Sequence, residues 1–401
     1  MNRNFIELPP TQVDPIVLAN AQWPEFMARY DDPINTTIGV LLDPRTNAPW
    51  RPASVERALI TAQEDINSIK LYGYQTQVGH AAFLKAAGEF VFGEEIVSEH
   101  SLLSYQSLGG TNTLNLVRDT LEQLMKQGQH GIQIFTDAGW PNHRAIFNAP
   151  FERVEYTHLN PDTRDYFHEA ALDTAKVAKA PVMLLQVCGY NDDGADRTNE
   201  QWDDMVEVAK QNNAVVILDS AYLGLANGLA QDRYAIQQFV DSGLLTFVCF
   251  SGSKNMGLYN ERLGAVFIAN AHQQLGPQQA ANLDNVVRRV VRRTISSAPF
   301  HVAQAALSVL TDPAYYIELE VARGRLNGNR QILASQISDA FPAVATGRGL
   351  FTKLLADGFT SEQRKALTEQ GILTLPNSRI NIGGMTAGQT ERVGAAIMQL
   401  F

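Results

Sequence analysis

Short apolar runs alternate with stretches of helical periodicity between about residue 50 and residue 290. The apolar runs lie at 132–136, 181–188, 214–218, 244–250 and 263–268. Helical periodicity is found at 111–127, 200–211 and 275–293. Strands that are apolar along their whole length are typical of parallel sheets with helices on both faces. The alternation therefore predicts an α/β fold for this part of the chain.

A smaller α+β unit is predicted after about residue 300. Its expected elements are a helix at 313–340, a Gly-bearing strand pair near 347–355, a helix at 360–370, a strand at 379–384 and a last helix at 387–400. Residues 1–48 are rich in Pro and Asx, which indicates an arm that lies on another surface. We therefore predict an N-terminal arm with part of the small domain at 1–48, a large domain at 49–295 and a small C-terminal domain at 296–401.

The composition of the chain restricts its partners and its compartment. Of the 401 residues, 45% are hydrophobic and 18% are charged, which supports a large core and excludes a disordered chain. The formal net charge of −10 disfavours nucleic acid and anionic membrane surfaces as partners. Cys188 and Cys249 have no metal-ligand or disulfide spacing, so we expect no metal site and a cytoplasmic protein. Neither a signal peptide nor an apolar stretch of the ~18 residues that span a bilayer is found.

Lys254 directly follows the predicted strand 244–250, in the segment Ser-Gly-Ser-Lys that begins at Ser251. Open α/β sheets bind ligands at the carboxyl ends of their strands. Partial burial there lowers the pKa of an amine, as a Schiff-base lysine requires. The alternative is a solvated loop lysine, which is the commoner role of a single lysine.

Two other predicted strands end in polar side chains. Asp219 and Tyr222 follow strand 214–218, where a carboxylate can keep a pyridine nitrogen protonated and a phenol can bind a ring oxygen. The alternative, equally supported, is that Asp219 caps the next helix and Tyr222 packs on its buried face. Asn191 follows strand 181–188 and can donate to the same oxygen, or it can simply form an Asx turn.

The start of the helix predicted at 111–127 is a candidate anion site. Gly110 and Thr111 provide free backbone N–H groups at the positive end of the helix dipole. Ser251, Ser253 and Arg262 can close a phosphate site from the other side. The alternative is an ordinary Gly-Gly turn in which Thr111 caps the helix.

Two further residues stand out near predicted strands. Trp140 follows strand 132–136, where an aromatic ring can stack on a flat cofactor or simply pack in the core. Arg379 lies in a strand-like segment, where a charge needs a partner. That partner is either a substrate carboxylate or a structural carboxylate.

Together these motifs resemble the aspartate/aromatic aminotransferase family of fold-type I pyridoxal-phosphate enzymes. The matching segments, in the same order along the chain, are 14–16, 34–40, 109–111, 140–143, 200–202, 219–222, 251–264 and 378–385. The resemblance implies a large, cofactor-binding domain with a mostly parallel, seven-stranded type of sheet. It also implies that the enzyme moves an amino group between an aromatic or dicarboxylic L-amino acid and a 2-oxo acid such as 2-oxoglutarate.

The resemblance also implies roles for individual residues. Lys254 forms a Schiff base with pyridoxal 5′-phosphate and shuttles the substrate proton, and Asp219 holds the pyridinium nitrogen. The residues implied around the cofactor are Tyr222 and Asn191 at the 3′-oxygen, Trp140 on the ring, and Gly110, Thr111, Ser251, Ser253 and Arg262 at the phosphate. Arg379 clamps the α-carboxylate of the substrate, which also meets Trp140, Asn191 and Gly39.

The resemblance further implies a homodimer with shared active sites. Tyr74 matches a tyrosine that reaches the phosphate from the partner subunit, and Arg292 matches an arginine that binds a distal carboxylate across the interface. Three further arginines crowd Arg292, at positions 288, 289 and 293, and leave its register open.

The chain departs from the family pattern at several places. Asn191-Asp-Asp-Gly194 stands where the family has Asn-Pro-Thr-Gly, so the turn is expected to differ. Ser296-Ser-Ala-Pro299 stands where the aspartate branch has Ser-Asn-Pro-Pro. Leu41-Leu42 replaces a polar pair, which predicts an apolar entrance and favours an aromatic donor with a dicarboxylic acceptor.

Two alternatives within the same cofactor chemistry remain, and two alternatives from other classes are disfavoured. One is another reaction of the same cofactor, such as β-elimination, decarboxylation or racemisation, and a second is an aspartate-specific aminotransferase. A non-catalytic regulator of the same fold type is expected to lack Lys254 or Asp219, and both are present. An NAD-binding protein is expected to carry G-x-G-x-x-G after its first strand, and the chain has none there.

Overall fold

A computed structural model of the protein describes residues 14–43, 45–46, 48–69, 72–124, 132–137, 139–160, 162–163, 165–178 and 182–401. Residues 1–13 of the predicted arm, positions 125–127 of the predicted helix 111–127 and the first residue of the predicted strand 181–188 lie outside this part of the chain. None of the described helices is both long enough and apolar enough to cross a membrane.

Eleven strands and seventeen α-helices occur in the described part of the chain. The strands are β1 (Ile34–Asn35), β2 (Leu103–Ser107), β3 (Ile132–Asp137), β4 (Phe151–Tyr156), β5 (Val182–Gln186), β6 (Val215–Asp219), β7 (Thr246–Ser251), β8 (Gly264–Ala269), β9 (Phe351–Lys353), β10 (Ile372–Leu373) and β11 (Arg379–Asn381). The helices are α1 (Pro15–Arg29), α2 (Ala53–Ile69), α3 (Ala81–Phe92), α4 (Glu94–Glu99), α5 (Gly109–Leu124), α6 (Pro141–Ile146), α7 (His168–Ala178), α8 (Asn199–Gln211), α9 (Leu229–Asp232), α10 (Tyr234–Asp241), α11 (Gly252–Asn255), α12 (Ala271–Thr294), α13 (Phe300–Leu310), α14 (Pro313–Ile337), α15 (Ala343–Thr346), α16 (Ser361–Glu369) and α17 (Ala387–Met398).

The centre of the molecule is a seven-stranded sheet in the order β2-β8-β7-β6-β5-β3-β4. Strands β7, β6, β5, β3 and β4 are parallel to one another. Strand β8 runs antiparallel to both of its neighbours, β2 and β7. Strands β5, β7 and β8 are buried along their whole length, because helices cover both faces of the sheet. The predicted α/β fold with a mostly parallel sheet is thus confirmed.

Strands β2 and β4 form the two edges of the sheet and were not expected from the sequence. Their sequences are Leu-Ser-Tyr-Gln-Ser and Phe-Glu-Arg-Val-Glu-Tyr. An edge strand has one open side, so it tolerates polar and charged side chains and lacks a continuous apolar run. Hydrophobicity alone therefore predicts the inner strands better than the edges.

The N-terminal segment contains a helix that the sequence analysis missed. Asp14 caps α1 by accepting a hydrogen bond from the Ile16 N–H at 2.7 Å, and Pro15 occupies the first helical turn. The richness of residues 1–48 in Pro and Asx predicted an arm, although an acidic cap followed by proline also favours a helix start. Strand β1 then pairs in parallel with β10, so this segment joins the C-terminal part of the chain.

The C-terminal part has its own core, which includes Ile34, Leu333, Ile380 and Val393. The strand pair predicted within 347–355 is wrong, because only β9 is extended there and it pairs with β11. Gly349, with φ of +74°, packs against the backbone of Gly189, and a Cβ at that position would lie 2.7 Å from the Gly189 Cα. This contact makes 347–350 a connection toward the large sheet.

The predicted domain boundary at 295/296 stays a prediction. Helix α13 packs in the same core cluster as α2 and α3, with Val302, Val55 and Phe83 among its members. The first helix after the boundary therefore shares its apolar contacts with the large sheet unit.

Candidate active site

A cavity of about 280 Å³ lies at the carboxyl ends of β5, β6 and β7. The last residue of each strand lines it, namely Gln186, Asp219 and Ser251. Asp219 and Ser251 were predicted as site residues, and so were the wall residues Gly39, Gly110, Thr111, Trp140, Asn191, Tyr222, Ser253, Lys254, Arg262 and Arg379. Parallel strands that end at one edge bring these distant segments together.

Lys254 lines this cavity. It lies in the short helix α11, where the Ser251 hydroxyl accepts a hydrogen bond from the Ser253 N–H at 3.3 Å. Its Nζ donates to the Gly39 carbonyl at 2.6 Å and lies 5.0 Å from the centre of the Tyr259 ring. Burial, together with the charges of Arg262 and Arg379, lowers the pKa of Lys254 to about 8. The amine is therefore partly neutral near physiological pH.

Asp219 is held by a histidine that the sequence analysis did not assign a role. His143 Nε2 lies 2.9 Å from Asp219 Oδ2, and both side chains are buried. The other carboxylate oxygen accepts from the Ala221 N–H at 3.1 Å, within a turn rather than at a helix start. Trp140 meets His143 edge to face, with ring centres 5.3 Å apart. The Trp-Pro-Asn-His motif was the available signal, because it places His143 one helical turn after Trp140.

A hydrogen-bonded chain joins Tyr222, Asn191 and Arg379. The Asn191 Nδ2 donates to the Tyr222 hydroxyl at 3.0 Å, and Arg379 Nη1 donates to Asn191 Oδ1 at 3.1 Å. Burial raises the pKa of Tyr222, which remains a neutral phenol. Asn191 can therefore orient both a phenol and a guanidinium.

Arg379 is only 2% exposed. Its Nη2 donates to the Thr37 carbonyl at 2.8 Å, and its guanidinium carbon lies 4.5 Å from the centre of the Phe351 ring. Burial lowers its pKa from the usual 12.5, and its Nε has no hydrogen-bond partner among the described residues. A buried cation with an unused donor is a suitable site for a carboxylate.

The turn after β5 positions Asn191 although the family's proline is missing. Gln186 Nε2 donates to the Asn191 carbonyl at 3.0 Å, and the Asn191 N–H donates to Gln186 Oε1 at 3.2 Å. Asp193 accepts from the Ala195 N–H at 2.9 Å and pairs with the buried His158 ring at 2.9 Å. The sequence analysis missed Gln186, whose signal was a polar side chain at the end of an apolar run.

The start of α5 faces two hydroxyls and a cation. Helix α5 begins at Gly109, and the Asn112 side chain accepts from the Leu108 N–H at 3.0 Å, so Asn112 rather than Thr111 makes the side-chain contact at this helix start. Arg262 Nη1 donates to the Ser253 hydroxyl at 3.1 Å. A helix N-terminus next to a guanidinium is an anion site. The arrangement supports the predicted phosphate site.

Tyr74 and Arg292 are the predicted site residues that do not line this cavity. Tyr74 is 94% exposed. Arg292 is also exposed and donates to the Ser296 hydroxyl. With Arg289 and Gln77 it lines a separate surface cavity of about 650 Å³.

Two of the arginines that crowd Arg292 have carboxylate partners within the chain. Arg288 pairs with Asp284 at 2.9 Å, and Arg293 pairs with Asp119 at 2.7 Å. These pairs leave Arg292 and Arg289 as the better candidates for an external carboxylate.

The prediction of an apolar entrance at Leu41-Leu42 is wrong. Leu41 is fully buried, its N–H donates to the Tyr259 hydroxyl at 3.0 Å, and neither leucine lines the cavity. Asn381 fixes the preceding backbone by donating to the Ile38 and Val40 carbonyls. Ile16 is the apolar residue of the described N-terminal segment, from residue 14 onward, that does line the cavity.

Comparison with known proteins assigns the family. Residues 32–397 match the family Aminotransferase class I and II. The chain is 29% identical over 384 residues to the aspartate aminotransferase of Pseudomonas aeruginosa and 30% identical over 386 residues to the aromatic-amino-acid aminotransferase of Paracoccus denitrificans, with 92% of both chains covered in each case. Its fold is similar to that of the aromatic-amino-acid aminotransferase from Burkholderia pseudomallei covalently bound to pyridoxal phosphate, with a TM-score of 0.86, 26% identity and 100% of both chains covered. The chain belongs to the aminotransferase class I and II family.

The protein is a pyridoxal-phosphate-dependent aminotransferase, which moves an amino group between an amino acid and a 2-oxo acid. The cavity fits this cofactor, since it combines a buried amine of lowered pKa, a buried carboxylate and an anion site. The glycines at the start of α5 leave the space that a phosphate needs. A Cβ at Gly110 would lie 3.2 Å from the Ser251 Cβ, and one at Gly109 would lie 2.6 Å from Arg262 Nη2.

Replacing Gly109 by alanine is therefore expected to displace Arg262 and weaken cofactor binding. Hydrogen bonds to charged groups contribute roughly 1.5–3 kcal/mol, so we expect an increase of about tenfold or more in the cofactor Kd. Fluorescence titration of the apoprotein measures it. Gly276→Ala is the matched control, because Gly276 of α12 has a similar positive φ, +74° against +78° at Gly109, but a Cβ there meets nothing within 4 Å. Equal cofactor affinity in the two variants would contradict this role of Gly109.

Proposed function

We propose that the cavity around Lys254 is the active site, and that the enzyme transfers an amino group between an aromatic or dicarboxylic L-amino acid and a 2-oxo acid such as 2-oxoglutarate. The observation that carries the proposal is the buried Lys254 amine, whose pKa is lowered to about 8 and which shares one cavity with Asp219 and Arg379. When bound, pyridoxal phosphate withdraws electrons from the substrate Cα and acidifies its proton. The chain has to bind the cofactor and the substrate and to move that proton.

Each residue of the cavity has one of these tasks. Lys254 would attach the cofactor through its Nζ. As a free amine, Lys254 would take the proton from the substrate Cα and deliver it to C4′ of the cofactor. Asp219, oriented by His143, keeps the ring nitrogen protonated. Tyr222 and Asn191 hold the ring oxygen, and Trp140 covers the ring.

The phosphate and the carboxylate are bound by separate groups of cavity residues. Gly110, Thr111, Ser251, Ser253 and Arg262 hold the phosphate. Arg379 binds the α-carboxylate that every substrate carries, beside Asn191, Trp140 and Gly39. A guanidinium can bind a carboxylate through two parallel hydrogen bonds, which fixes the orientation of the substrate Cα.

The substrate side chain is proposed to be aromatic in the donor and acidic in the acceptor. An apolar part of the cavity wall is formed by Ile16, Trp140 and Tyr259. Burying an aromatic ring against it gains roughly 25 cal/mol per Å² of apolar surface removed from water. Arg292 is proposed to serve the distal carboxylate of a dicarboxylic substrate from the partner subunit. The two curated relatives above, one named for aspartate and one for aromatic amino acids, are almost equally similar to the chain.

The assembly is proposed to be a homodimer in the cytoplasm. Tyr74 is 94% exposed although it is a large aromatic residue, and Arg292 lies on the surface with no carboxylate partner among the described residues. Both features suit residues that complete the site of a second copy. Both cysteines are buried free thiols, which suits a reducing compartment.

Borohydride reduction of the holoenzyme is expected to fix the cofactor on Lys254, as peptide mapping will show. Lys254→Ala should lower turnover by about 10²–10⁴-fold or more, because it removes the positioned base, whereas replacement of the exposed Lys85 of α3 by alanine should not. Only the neutral amine is a nucleophile, so attachment to the apoprotein should speed up as pH rises and level off above about 8. A label on another lysine would refute the proposal.

Mixing two variants of low activity tests whether each active site is built from residues of both subunits. Tyr74→Ala and Lys254→Ala are each expected to be poorly active at limiting cofactor, but random exchange of subunits creates heterodimers with one intact site. About a quarter of the parent activity should then return, as two-fold symmetry requires. Sedimentation should give a species of twice 44.2 kDa. A fully active monomer would be incompatible with the homodimer.

Arg292→Leu tests the distal carboxylate. We expect kcat/KM for aspartate and 2-oxoglutarate to fall about 30-fold or more, since an unpaired buried charge costs roughly 2–5 kcal/mol, while phenylalanine is little affected. Arg289→Leu removes a neighbouring arginine of the same surface cavity and is the matched control. Equal losses in both variants, or none in Arg292→Leu, would argue against the assignment.

A further inference from the structure

Two cations lie side by side at the carboxylate end of the active site. Lys353 on β9 and Arg379 on β11 are directly opposite each other in an antiparallel pair. Residues so paired point to the same face, where like charges repel. The Lys353 side chain is 21% exposed and Arg379 is 2% exposed, so water screens their repulsion poorly.

Two successive residues of the turn after β5 separate these cations. Asn191 Oδ1 accepts from Arg379 Nη1 at 3.1 Å, and Asp192 Oδ2 lies 3.3 Å from Lys353 Nζ. The neutral carboxamide leaves the charge of Arg379 intact, whereas the carboxylate offsets the charge of Lys353. The turn therefore neutralises the charge of Lys353 and leaves the charge of Arg379 for a ligand.

Asp192 also holds the segment that leads into β11. Asn377 Nδ2 donates to Asp192 Oδ1 at 3.1 Å, and the Arg379 N–H donates to Asn377 Oδ1 at 3.3 Å. Burial raises the pKa of Asp192, while the charges of Lys353 and Arg379 both oppose that rise. Without Lys353, the Asp192 charge would have Arg379 as its remaining strong partner among these contacts.

We propose that Lys353 is a positioning residue for the carboxylate site: by pairing with Asp192 it keeps that carboxylate on Asn377 and leaves Arg379 available to the substrate. The inference rests on the proposed role of Arg379 as the α-carboxylate ligand. Asp192 stands where the family has proline, so a charged contact here takes over part of the rigidity that a proline ring gives a turn.

Binding of 3-phenylpropionate, a carboxylate with no amino group to transfer, tests the inference in the holoenzyme. Lys353→Met should raise its Kd, and the KM of every amino acid and 2-oxo acid, about tenfold, with kcat within about twofold. Lys353→Arg keeps the charge and should restore the parent values. In the double variant D192N/K353M the competing carboxylate is gone, so most of the affinity should return.

Glu318→Gln is the matched control. Glu318 accepts from the Ser54 N–H and hydroxyl and ties α14 to the start of α2, and neither residue lines the cavity. The Glu318→Gln variant should have a lower thermal midpoint of unfolding and an unchanged Kd for 3-phenylpropionate. If Lys353→Met does not fold, Lys353→Gln is expected to show the same Kd increase.

A lower thermal midpoint with unchanged Kd in Lys353→Met, or a double variant no better than Lys353→Met, overturns the inference. These results leave the proposed function intact. Failure of the parent enzyme to transfer amino groups would instead contradict the proposed function.

Discussion

The burial of the Arg379 guanidinium is the constraint on which the site depends. A cation that is 2% exposed loses nearly all its hydration, and the protein must return hydrogen bonds in place of water. The Thr37 carbonyl, the Asn191 carboxamide and the face of Phe351 supply contacts from three separate segments of the chain. None of these partners carries a negative charge. Arg379 is therefore held in place by neutral groups. The charge of Asp192 acts on it without a direct contact, so the guanidinium remains able to attract a substrate carboxylate.

The same electrostatic imbalance extends over the whole cavity. Lys254, Arg262 and Arg379 contribute positive charge to its wall, and Asp219 contributes the one carboxylate among the described residues that line it. Mutual repulsion and burial both act on Lys254, because an ammonium among guanidinium groups is the easiest of these cations to deprotonate. The excess of positive charge thus binds phosphate and carboxylate, and it also leaves an amine that can act as a nucleophile and as a base. Asp219 is held by His143 and the Ala221 N–H rather than by an arginine, so its charge stays available for the ring nitrogen of the cofactor.

Much of this arrangement could be predicted from the sequence. Asp219 and Lys254 directly follow apolar runs, and parallel strands end at one edge, so the runs alone bring these residues together. Strands β2 and β4 escaped prediction because edge strands need no apolar run. The position of Leu41 in a motif predicted that it lies at the entrance. Its segment is instead turned inward by hydrogen bonds to Tyr259 and Asn381, which are at least 218 residues away along the chain. Gln186 and His143 act on Asn191 and Asp219 rather than on a ligand, and pairings of that kind depend on three-dimensional contacts that no local pattern shows.

The turn from Asn191 to Gly194 shows how a polar sequence can do what proline does elsewhere. Backbone packing fixes its position first: Gly194, with φ of +80°, lies so close to β9 that a Cβ would be 2.4 Å from the Phe351 carbonyl. Gln186 then binds both the N–H and the carbonyl of Asn191, which fixes the peptide from which the carboxamide projects. The same β9 residue, Phe351, supports the Arg379 guanidinium with its ring. The close glycine contact and the cation–π contact therefore set the distance between Asn191 and Arg379 through one shared residue, so a side chain at position 194 would separate the two groups without touching either.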